Sequence, residues 1–451
     1  MWSLYEIDKS GDKKDKKLEP LVFSNGKSQE DVVKEVLDAV KEGHKIIFIH
    51  GICGTGKSAI ALNIAKELGT TSIVVPGKNL QAQYKKDYER DKYLLKKDGS
   101  KMKISVLTGR GNHKCKFLED NDKAVPKIKT EVNANLNDIF EFDENKAKEK
   151  ELRDYSANKW DLPYKIEIKE RNWNKLKKYL QENNHVDSSK FSEVREISRA
   201  AIGRVCPYWS PVVPAKFEIK SFPDSKKKQY AGLDNTKFII HEGKPGCKFY
   251  EQFKAYIDAD VMVFNSLKYI LESALKRKPA TNVEIIDECD DFLDKFSNQK
   301  KINIDRLQAA LVHTLGLTDK ADKAIKEASQ IIKQIKVDEG IQDAIVGNEI
   351  LEIKKTHIFD LLKIFLNCDE LLEELDEESY LFEIEEAARM FENFLDDAFV
   401  TYSKRDNQIV ANLVTTNLAK RFKQLVDQNK LLILMSGTLH SEYVLDKIFN
   451  L

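Results

Sequence analysis

An eight-residue stretch near the start of the chain carries the residue types that bind polyphosphates. Residues 51–58 read Gly-Ile-Cys-Gly-Thr-Gly-Lys-Ser, which fits the phosphate-loop pattern Gly-x-x-x-x-Gly-Lys-Ser. Its glycines let backbone N–H groups turn inward around phosphates. Lys57 is expected to reach the β- and γ-phosphates of ATP, and Ser58 to hold Mg²⁺ through its hydroxyl. The candidate nucleotide ligands in this loop are Gly51, Gly54, Thr55, Gly56, Lys57 and Ser58.

The loop needs a strand before it and a helix after it, and the sequence predicts both. Residues 45–49 are an apolar run of strand length, and residues 59–66 are good helix formers. A helix that starts at the loop adds partial positive charge for the phosphates. A helix is also predicted over residues 28–42, and it opens with Gln29, whose amide could read an adenine edge.

A second apolar strand, residues 283–287, ends in adjacent acids. In α/β sheets, ligands bind at the carboxyl edge of the strands, so these acids are expected beside the phosphate loop. Asp287 is predicted to hold the Mg²⁺ shell, and Glu288 to orient and activate the attacking water.

Further strands alternate with helices and predict a parallel α/β sheet. They lie at residues 71–76, 103–107, 260–264 and 431–435. The alternation stops between residues 115 and 254, which indicates an insertion of mixed pattern. Residues 305–429 read as almost wholly helical, which predicts an all-α second insertion.

Composition and charge limit the classes of function that are possible. A chain of 451 residues predicts two or three domains, and no apolar run approaches the roughly 20 residues of a membrane span. The first twenty residues lack a signal-peptide core, so an intracellular (cytoplasmic, nucleoid or nuclear) protein is expected. The net charge of zero conceals a division: residues 369–397 hold thirteen acidic side chains and one basic one, whereas residues 85–129 hold fourteen basic and seven acidic. Residues 204–254 are also basic. Basic stretches of this kind either bind the phosphate backbone of a nucleic acid or form a solvent-exposed, lysine-rich face without a binding role.

The motifs in their order resemble the first motor domain of superfamily 2 iron–sulfur DNA helicases of the XPD/DinG type. Asp-Glu-Cys-Asp at 287–290 stands where that family has Asp-Glu-Ala-His, and Ser-Gly-Thr-Leu at 436–439 also matches. The resemblance implies a RecA-like phosphate-loop sheet with a cysteine-bearing insertion and an all-α, arch-like insertion. The implied division is a polar lead-in (1–20), motor segments (21–114, 256–300, 429–451), the cysteine-bearing insertion (115–255) and the arch-like insertion (301–428).

The resemblance also implies ATP-driven translocation along single-stranded or forked DNA in the 5′-to-3′ sense. The family's strand contacts fall on Lys78, Asn79, Gln83 and Asn265 of this chain. Tyr208, Trp209, Phe249 and Tyr250 lie in a basic stretch and are either base-stacking groups or core residues.

The cysteines depart from the family pattern. A [4Fe–4S] cluster takes four thiolates, and Cys115, Cys206 and Cys247 match three of its positions. The insertion offers no fourth cysteine, although His113 or His241 could complete the set. An iron–sulfur cluster, Zn²⁺ and no metal at all are therefore the alternatives.

Two other functions remain open, a phosphate-loop ATPase acting on a small substrate and a regulatory or vestigial DNA-binding subunit. Only twelve residues follow Leu439, whereas the family continues into a second motor domain that supplies an arginine to the γ-phosphate. We therefore expect the 451 residues to bind ATP but hydrolyse it slowly and not unwind DNA without a longer parent chain or a partner chain.

Overall fold

The computed structural model describes residues 2–9, 15–52, 54–113, 206–217, 225–294, 299–312, 314–316, 318–371 and 379–451, with the single residues 116, 181 and 219. Its centre is a six-stranded sheet in which every neighbouring pair is parallel. The strands are β1 Ile46–His50, β2 Thr71–Val75, β3 Ile104–Leu107, β4 Val261–Asn265, β5 Val283–Asp287 and β6 Leu432–Ser436. Their order is β1-β6-β5-β2-β4-β3. The predicted parallel α/β sheet is confirmed.

Five helices accompany this sheet. They are α1 Gln29–Lys41, α2 Lys57–Leu68, α3 Lys78–Lys86, α4 Ser266–Ala274 and α5 Cys289–Asp294. Both faces of the sheet are covered by apolar layers, and for this reason its strands are continuous Val/Ile/Leu runs. Ile73 and Val75 face one layer and Val74 the other. A π-helical turn, Asp87–Asp91, continues α3.

The described residues of the segment 1–20 form strands and pack on the core. This corrects the prediction of a loose polar lead-in. Strands Tyr5–Glu6, Lys16–Lys17 and Lys92–Tyr93 form a small antiparallel sheet. Trp2 is buried, and its indole N–H donates to the backbone oxygen of Leu18 at 2.8 Å. Apolar Trp2 and Leu4, on either side of Ser3, dock this segment on the core.

The described part of the cysteine-bearing insertion is mixed, as predicted. Strands Val212–Pro214, Lys226–Ala231 and Lys237–Glu242 form an antiparallel sheet with the last in the middle. The short helical segments of the insertion are Leu233–Asn235, Lys248–Glu251 and Gln252–Lys254, and the flanking motor segments add Arg110–Asn112 before it and Ala255–Asp258 at its end. The helix predicted near residues 192–202 lies outside the described residues.

The arch-like insertion is not all-α, which corrects the prediction. It contains a four-stranded antiparallel sheet ordered Gln299–Asn303, Gln408–Thr415, Ala398–Arg405 and Leu351–Glu352. Its helical elements are Ile304–Val312, Asp319–Val337, Glu339–Gly347, Ile353–Lys355, His357–Asn367, Asp369–Leu371, Tyr380–Phe391 and Glu392–Phe394. Asp406 and Asn407 both have positive φ (47° and 65°), so they form the two-residue hairpin turn that favours Asp and Asn.

The chain returns to the central sheet through helix Leu418–Gln428, and Glu442–Val444 and Leu445–Phe449 follow β6. Among the described helices, none is long and apolar enough to cross a membrane.

Candidate active site

The phosphate loop connects β1 to α2 and takes backbone conformations that require glycine. Gly54 and Gly56 have φ of +88° and +71°. A Cβ added at Gly56 would also lie 2.3 Å from Gln29 Nε2. Glycine at position 56 is therefore needed for both conformation and space.

Internal contacts close this loop. Thr55 donates to the backbone oxygen of Ile52 through its N–H at 3.3 Å and its hydroxyl at 2.8 Å. Lys57 begins α2, is 8% exposed, and donates from Nζ to the backbone oxygen of Gly51 at 3.0 Å. The lysine thus folds back over the loop, where a polyphosphate would meet it.

The acidic end of β5 lies at the same edge of the sheet. Lys57 Nζ is 2.9 Å from Glu288 Oε1, which joins the two motifs across the intervening strand β6. Glu288 has φ of +51°, a conformation uncommon for a residue with a side chain, and its N–H donates to Asp287 Oδ1 at 3.1 Å. Strained backbone of this kind is typical of functional sites.

Asp287 is the buried carboxyl of the pair, with 3% of its surface exposed. Its pKa is raised to about 6, chiefly by burial; Lys57 opposes this shift and the nearby Glu288 carboxylate adds to it. A carboxylate that is costly to keep charged in the protein alone is one that a divalent cation would stabilise. Together with the half-buried hydroxyl of Ser58, it is an oxygen donor set of the kind that Mg²⁺ prefers.

Gln29 is buried and already engaged. Its Oε1 accepts from the N–H of Leu21 at 2.9 Å, and its Nε2 donates to the backbone oxygen of Thr55 at 2.8 Å. In this structure its amide therefore ties the phosphate loop to the preceding segment. Its predicted contact with adenine stays a prediction.

The predicted DNA-binding residues divide into two groups. Lys78, Asn79 and Gln83 are all exposed on α3, which begins directly after β2 at the same sheet edge. Asn265 is half-buried instead, because it caps α4 by accepting from the N–H of Lys268 at 2.8 Å.

Gln81 is a residue that the sequence reasoning missed. Its Oε1 accepts from Asn265 Nδ2 at 3.1 Å, and its Nε2 donates to the backbone oxygen of Leu107 at 2.8 Å. It therefore ties α3 to the ends of β3 and β4. A glutamine within a polar helix gives no sequence signal for such a role.

Asp290, the last residue of the acidic motif, was also missed. It accepts from Ser436 Oγ at 2.9 Å and from the N–H of His440 at 3.1 Å. Ser436 Oγ in turn accepts from the N–H of Thr438 at 3.1 Å. The acidic motif and the Ser-Gly-Thr-Leu motif are thus one hydrogen-bonded unit, a pairing that no local sequence pattern indicates.

The predicted metal cysteines are not gathered into a site in the described part of the chain. Cys115 lies outside the described residues, as does Cys53 of the phosphate loop. Cys206 and Cys247 are half-buried and pack against an apolar cluster. Among the described residues, no group of three His, Cys, Asp or Glu side chains could hold a metal ion. The iron–sulfur prediction is therefore unsupported.

The chain segments around the cysteines nevertheless approach one another. A Cβ at Gly246, next to Cys247, would lie 3.6 Å from the Tyr208 ring and 3.8 Å from the Lys116 side chain. Tyr208 and Lys116 are two and one residues from Cys206 and Cys115.

The two histidines proposed as completing ligands are held by hydroxyl groups. His113 Nε2 lies 2.8 Å from Thr108 Oγ1, and His241 Nδ1 lies 2.8 Å from Ser225 Oγ. Burial lowers the pKa of His113 to about 4, helped by nearby lysines, so this ring is neutral at physiological pH.

The four aromatic residues considered for base stacking are core residues. Their exposed fractions are 3–8%, and all four lie inside the protein. They are Tyr208, Trp209, Phe249 and Tyr250.

Comparisons with known proteins agree with this geometry. Residues 23–183 match the family described as "Type III restriction enzyme, res subunit", a helicase-family domain. No curated protein matches the chain.

Solved structures of XPD are similar to the chain. "XPD_Helicase" matches with 13% identity and a TM-score of 0.41, over 94% of this chain and 60% of that one. "Truncated XPD" matches with 12% identity and a TM-score of 0.40, over 93% and 97%, and "XPD_APO" with 11% and 0.37, over 93% and 56%. The chain thus spans about three fifths of the first of these proteins. The predicted resemblance to XPD is confirmed as a likeness to these structures.

Proposed function

We propose that this chain contains the ATP-binding motor domain of an XPD/DinG-like DNA helicase, which couples ATP hydrolysis to movement along single-stranded DNA from 5′ to 3′. The observation that carries the proposal is the 2.9 Å contact between Lys57 Nζ and Glu288 Oε1. It brings the phosphate loop and the acidic motif into one site at the carboxyl edge of a parallel sheet.

Each residue of the site has a distinct proposed role. Lys57 binds the β- and γ-phosphates through charge-assisted hydrogen bonds. Ser58 and Asp287 would hold Mg²⁺, which when bound neutralises phosphate charge. Glu288 orients the attacking water and accepts its proton.

The Lys57–Glu288 contact also defines a competition. The Glu288 carboxylate pairs with the Lys57 ammonium group, which must also bind the γ-phosphate. Nucleotide binding must therefore separate the two side chains. Release of Glu288 then leaves its carboxylate free to act on water. Binding and activation of the base are coupled in this scheme.

Strand binding is proposed for the exposed face of α3. Lys78, Asn79 and Gln83 lie at the edge where the nucleotide site opens, and Asn79 and Gln83 are four residues apart, on one helix face. A lysine and two amides suit a phosphodiester backbone, which gives affinity without sequence preference. Asn265 would support this face by holding Gln81.

The test is ATP turnover with and without oligothymidylate for the parent chain, Lys78→Ala and the control Lys404→Ala, an exposed lysine on the 398–415 hairpin. DNA should stimulate the parent chain and the control. Lys78→Ala should keep basal turnover, require more DNA, and lower the salt dependence of DNA binding by about one unit of slope. Turnover that no nucleic acid stimulates would favour a small-substrate ATPase. Nucleotide binding without turnover, measured with the longer parent chain or the partner chain present, would favour a regulatory subunit.

A further inference from the structure

A small cavity lies where helices α4, Tyr380–Phe391 and Leu418–Gln428 meet. Its volume is about 50 Å³, more than enough for one group the size of a water molecule. Side chains from the motor segments and from the arch-like insertion line it together, among them Ser273, Met390, Arg421 and Gln424. None of the residues assigned above to nucleotide, Mg²⁺ or DNA contributes to it.

Arg421 brings an incompletely satisfied charge to this cavity. Its Nη1 donates to the backbone oxygen of Met390 at 2.7 Å. Its Nε and Nη2 atoms are buried, and no hydrogen-bond acceptor for them exists among the described residues. Its guanidinium carbon lies 4.0 Å from the ring centroid of Phe394 and 5.9 Å from that of Phe391. Within the described ranges, the partners of the guanidinium are thus one carbonyl and two aromatic rings.

A guanidinium in this setting is costly. Burying N–H donors without acceptors, and burying a charge without a counter-charge, both oppose folding. Burial lowers the pKa of Arg421 to about 10, which still leaves it charged at neutral pH. Arg389 lines the same cavity but is neutralised by Glu385 and Glu392, at 3.6 and 3.7 Å. No acidic side chain lines the cavity within the described ranges.

We propose that this cavity is a binding site for a small monovalent anion, chloride, held by Arg421. The volume suits a halide and is too small for a nucleotide. Ser273, Gln424 and Gln428 line the cavity and carry further O–H or N–H donors. A water molecule would accept hydrogen bonds but leave the charge unbalanced. The bound anion therefore stabilises the contact between the arch-like insertion and the motor domain.

The first test is thermal unfolding in sodium chloride and sodium gluconate at equal ionic strength. Chloride should raise the Tm of the parent chain on the order of 2–4 °C, because a ligand that binds only the folded state stabilises it. Arg405→Met, a change at an exposed arginine of the 398–415 hairpin, should keep this response, and Arg421→Met should lose it. An equal response in Arg421→Met would overturn the proposal, since the anion would then bind elsewhere, for example at the phosphate loop.

A second test needs no variant, so it decides the matter if Arg421→Met does not fold. Crystals of the parent chain soaked in bromide should show an anomalous peak within hydrogen-bond distance of Arg421 Nε or Nη2. A cavity without an anomalous peak, at a bromide concentration that labels other surface sites, would overturn the proposal. Neither test depends on the proposed helicase function.

Discussion

The nucleotide edge of the central sheet and the segment that carries Cys206 and Cys247 differ in how their predicted residues meet. At the nucleotide edge, Lys57 and Glu288 are 231 residues apart in the chain, yet their side chains are 2.9 Å apart. In the cysteine segment, neighbours of the cysteines approach one another, but Cys206 and Cys247 pack against apolar side chains.

The difference has a physical cause. Residues that directly follow parallel strands are brought to one edge by the strand register, so short motifs determine where their side chains lie. Ligands on separate loops depend on the path of a long insertion, which local pattern does not specify. Two matching motifs are therefore stronger evidence for a site when each motif directly follows a strand of the same parallel sheet.

The largest expected effect is on hydrolysis. Glu288→Gln should lower the rate of ATP hydrolysis by about 10²–10⁴, because an amide cannot accept the proton of the attacking water. ATP binding should persist or tighten, since Lys57 loses its competing carboxylate. Phosphate release and a labelled-ATP titration measure the two quantities.

The control for this change is Glu349→Gln, at an exposed residue of the arch-like insertion. It should hydrolyse ATP at the parent rate. Hydrolysis by Glu288→Gln at the parent rate, or clearly weaker ATP binding, would show that the nucleotide edge is not the site described.

The next effect is on affinity. Lys57→Ala should weaken ATP binding by about 10–100-fold, because it removes charge-assisted hydrogen bonds to the phosphates. Lys404→Ala, at an exposed lysine, should bind as the parent does. Unchanged binding by Lys57→Ala in the same titration would contradict the assignment of the loop.

A smaller effect follows from the raised pKa of Asp287, which is about 6. Below pH 6 this carboxyl is protonated, so Mg²⁺-dependent ATP binding should fall by up to about tenfold per pH unit. Asp287→Asn should remove that pH dependence and bind Mg·ATP weakly throughout. A parent chain whose Mg²⁺ dependence is constant from pH 5 to 8 would refute this role.

The same pKa makes a prediction about stability. For an acid whose pKa rises from 3.8 to about 6 on folding, the favourable contribution is complete below pH 3.8 and is lost as pH rises through 6. At pH 7–8, Asp287→Asn should therefore raise the unfolding free energy of the nucleotide-free chain by about 1–3 kcal/mol. Denaturant unfolding at pH 5 and pH 8 measures it, and a destabilised variant at pH 8 would be the contrary result.

The smallest expected effect is on the metal content of the cysteine segment, and its test sharpens the comparison with the nucleotide edge. If a cluster or Zn²⁺ is bound there, Cys206→Ser or Cys247→Ser should at least halve the iron or zinc content of anaerobically purified protein. Cys368→Ser, in the arch-like insertion, should not change it. Equal metal content in all three variants would remove the metal hypothesis.

Much of the fold could be predicted because five of the six sheet strands are almost wholly buried and all six are largely apolar. The hairpin at 398–415 was missed although Ala398, Val400 and Tyr402 alternate with more exposed residues, because it lies among strongly helical segments. Asp290 could not be assigned either, since its role depends on Ser436, 146 residues away. Tertiary contacts of this kind leave no local pattern.

The most direct measurement of the central claim is a crystal structure of the chain with Mg²⁺ and a non-hydrolysable ATP analogue. The account predicts that Lys57 Nζ leaves Glu288 and contacts the β- and γ-phosphates, with Ser58 and Asp287 in the Mg²⁺ shell. A nucleotide bound elsewhere, with the Lys57–Glu288 contact still intact at 2.9 Å, would contradict it.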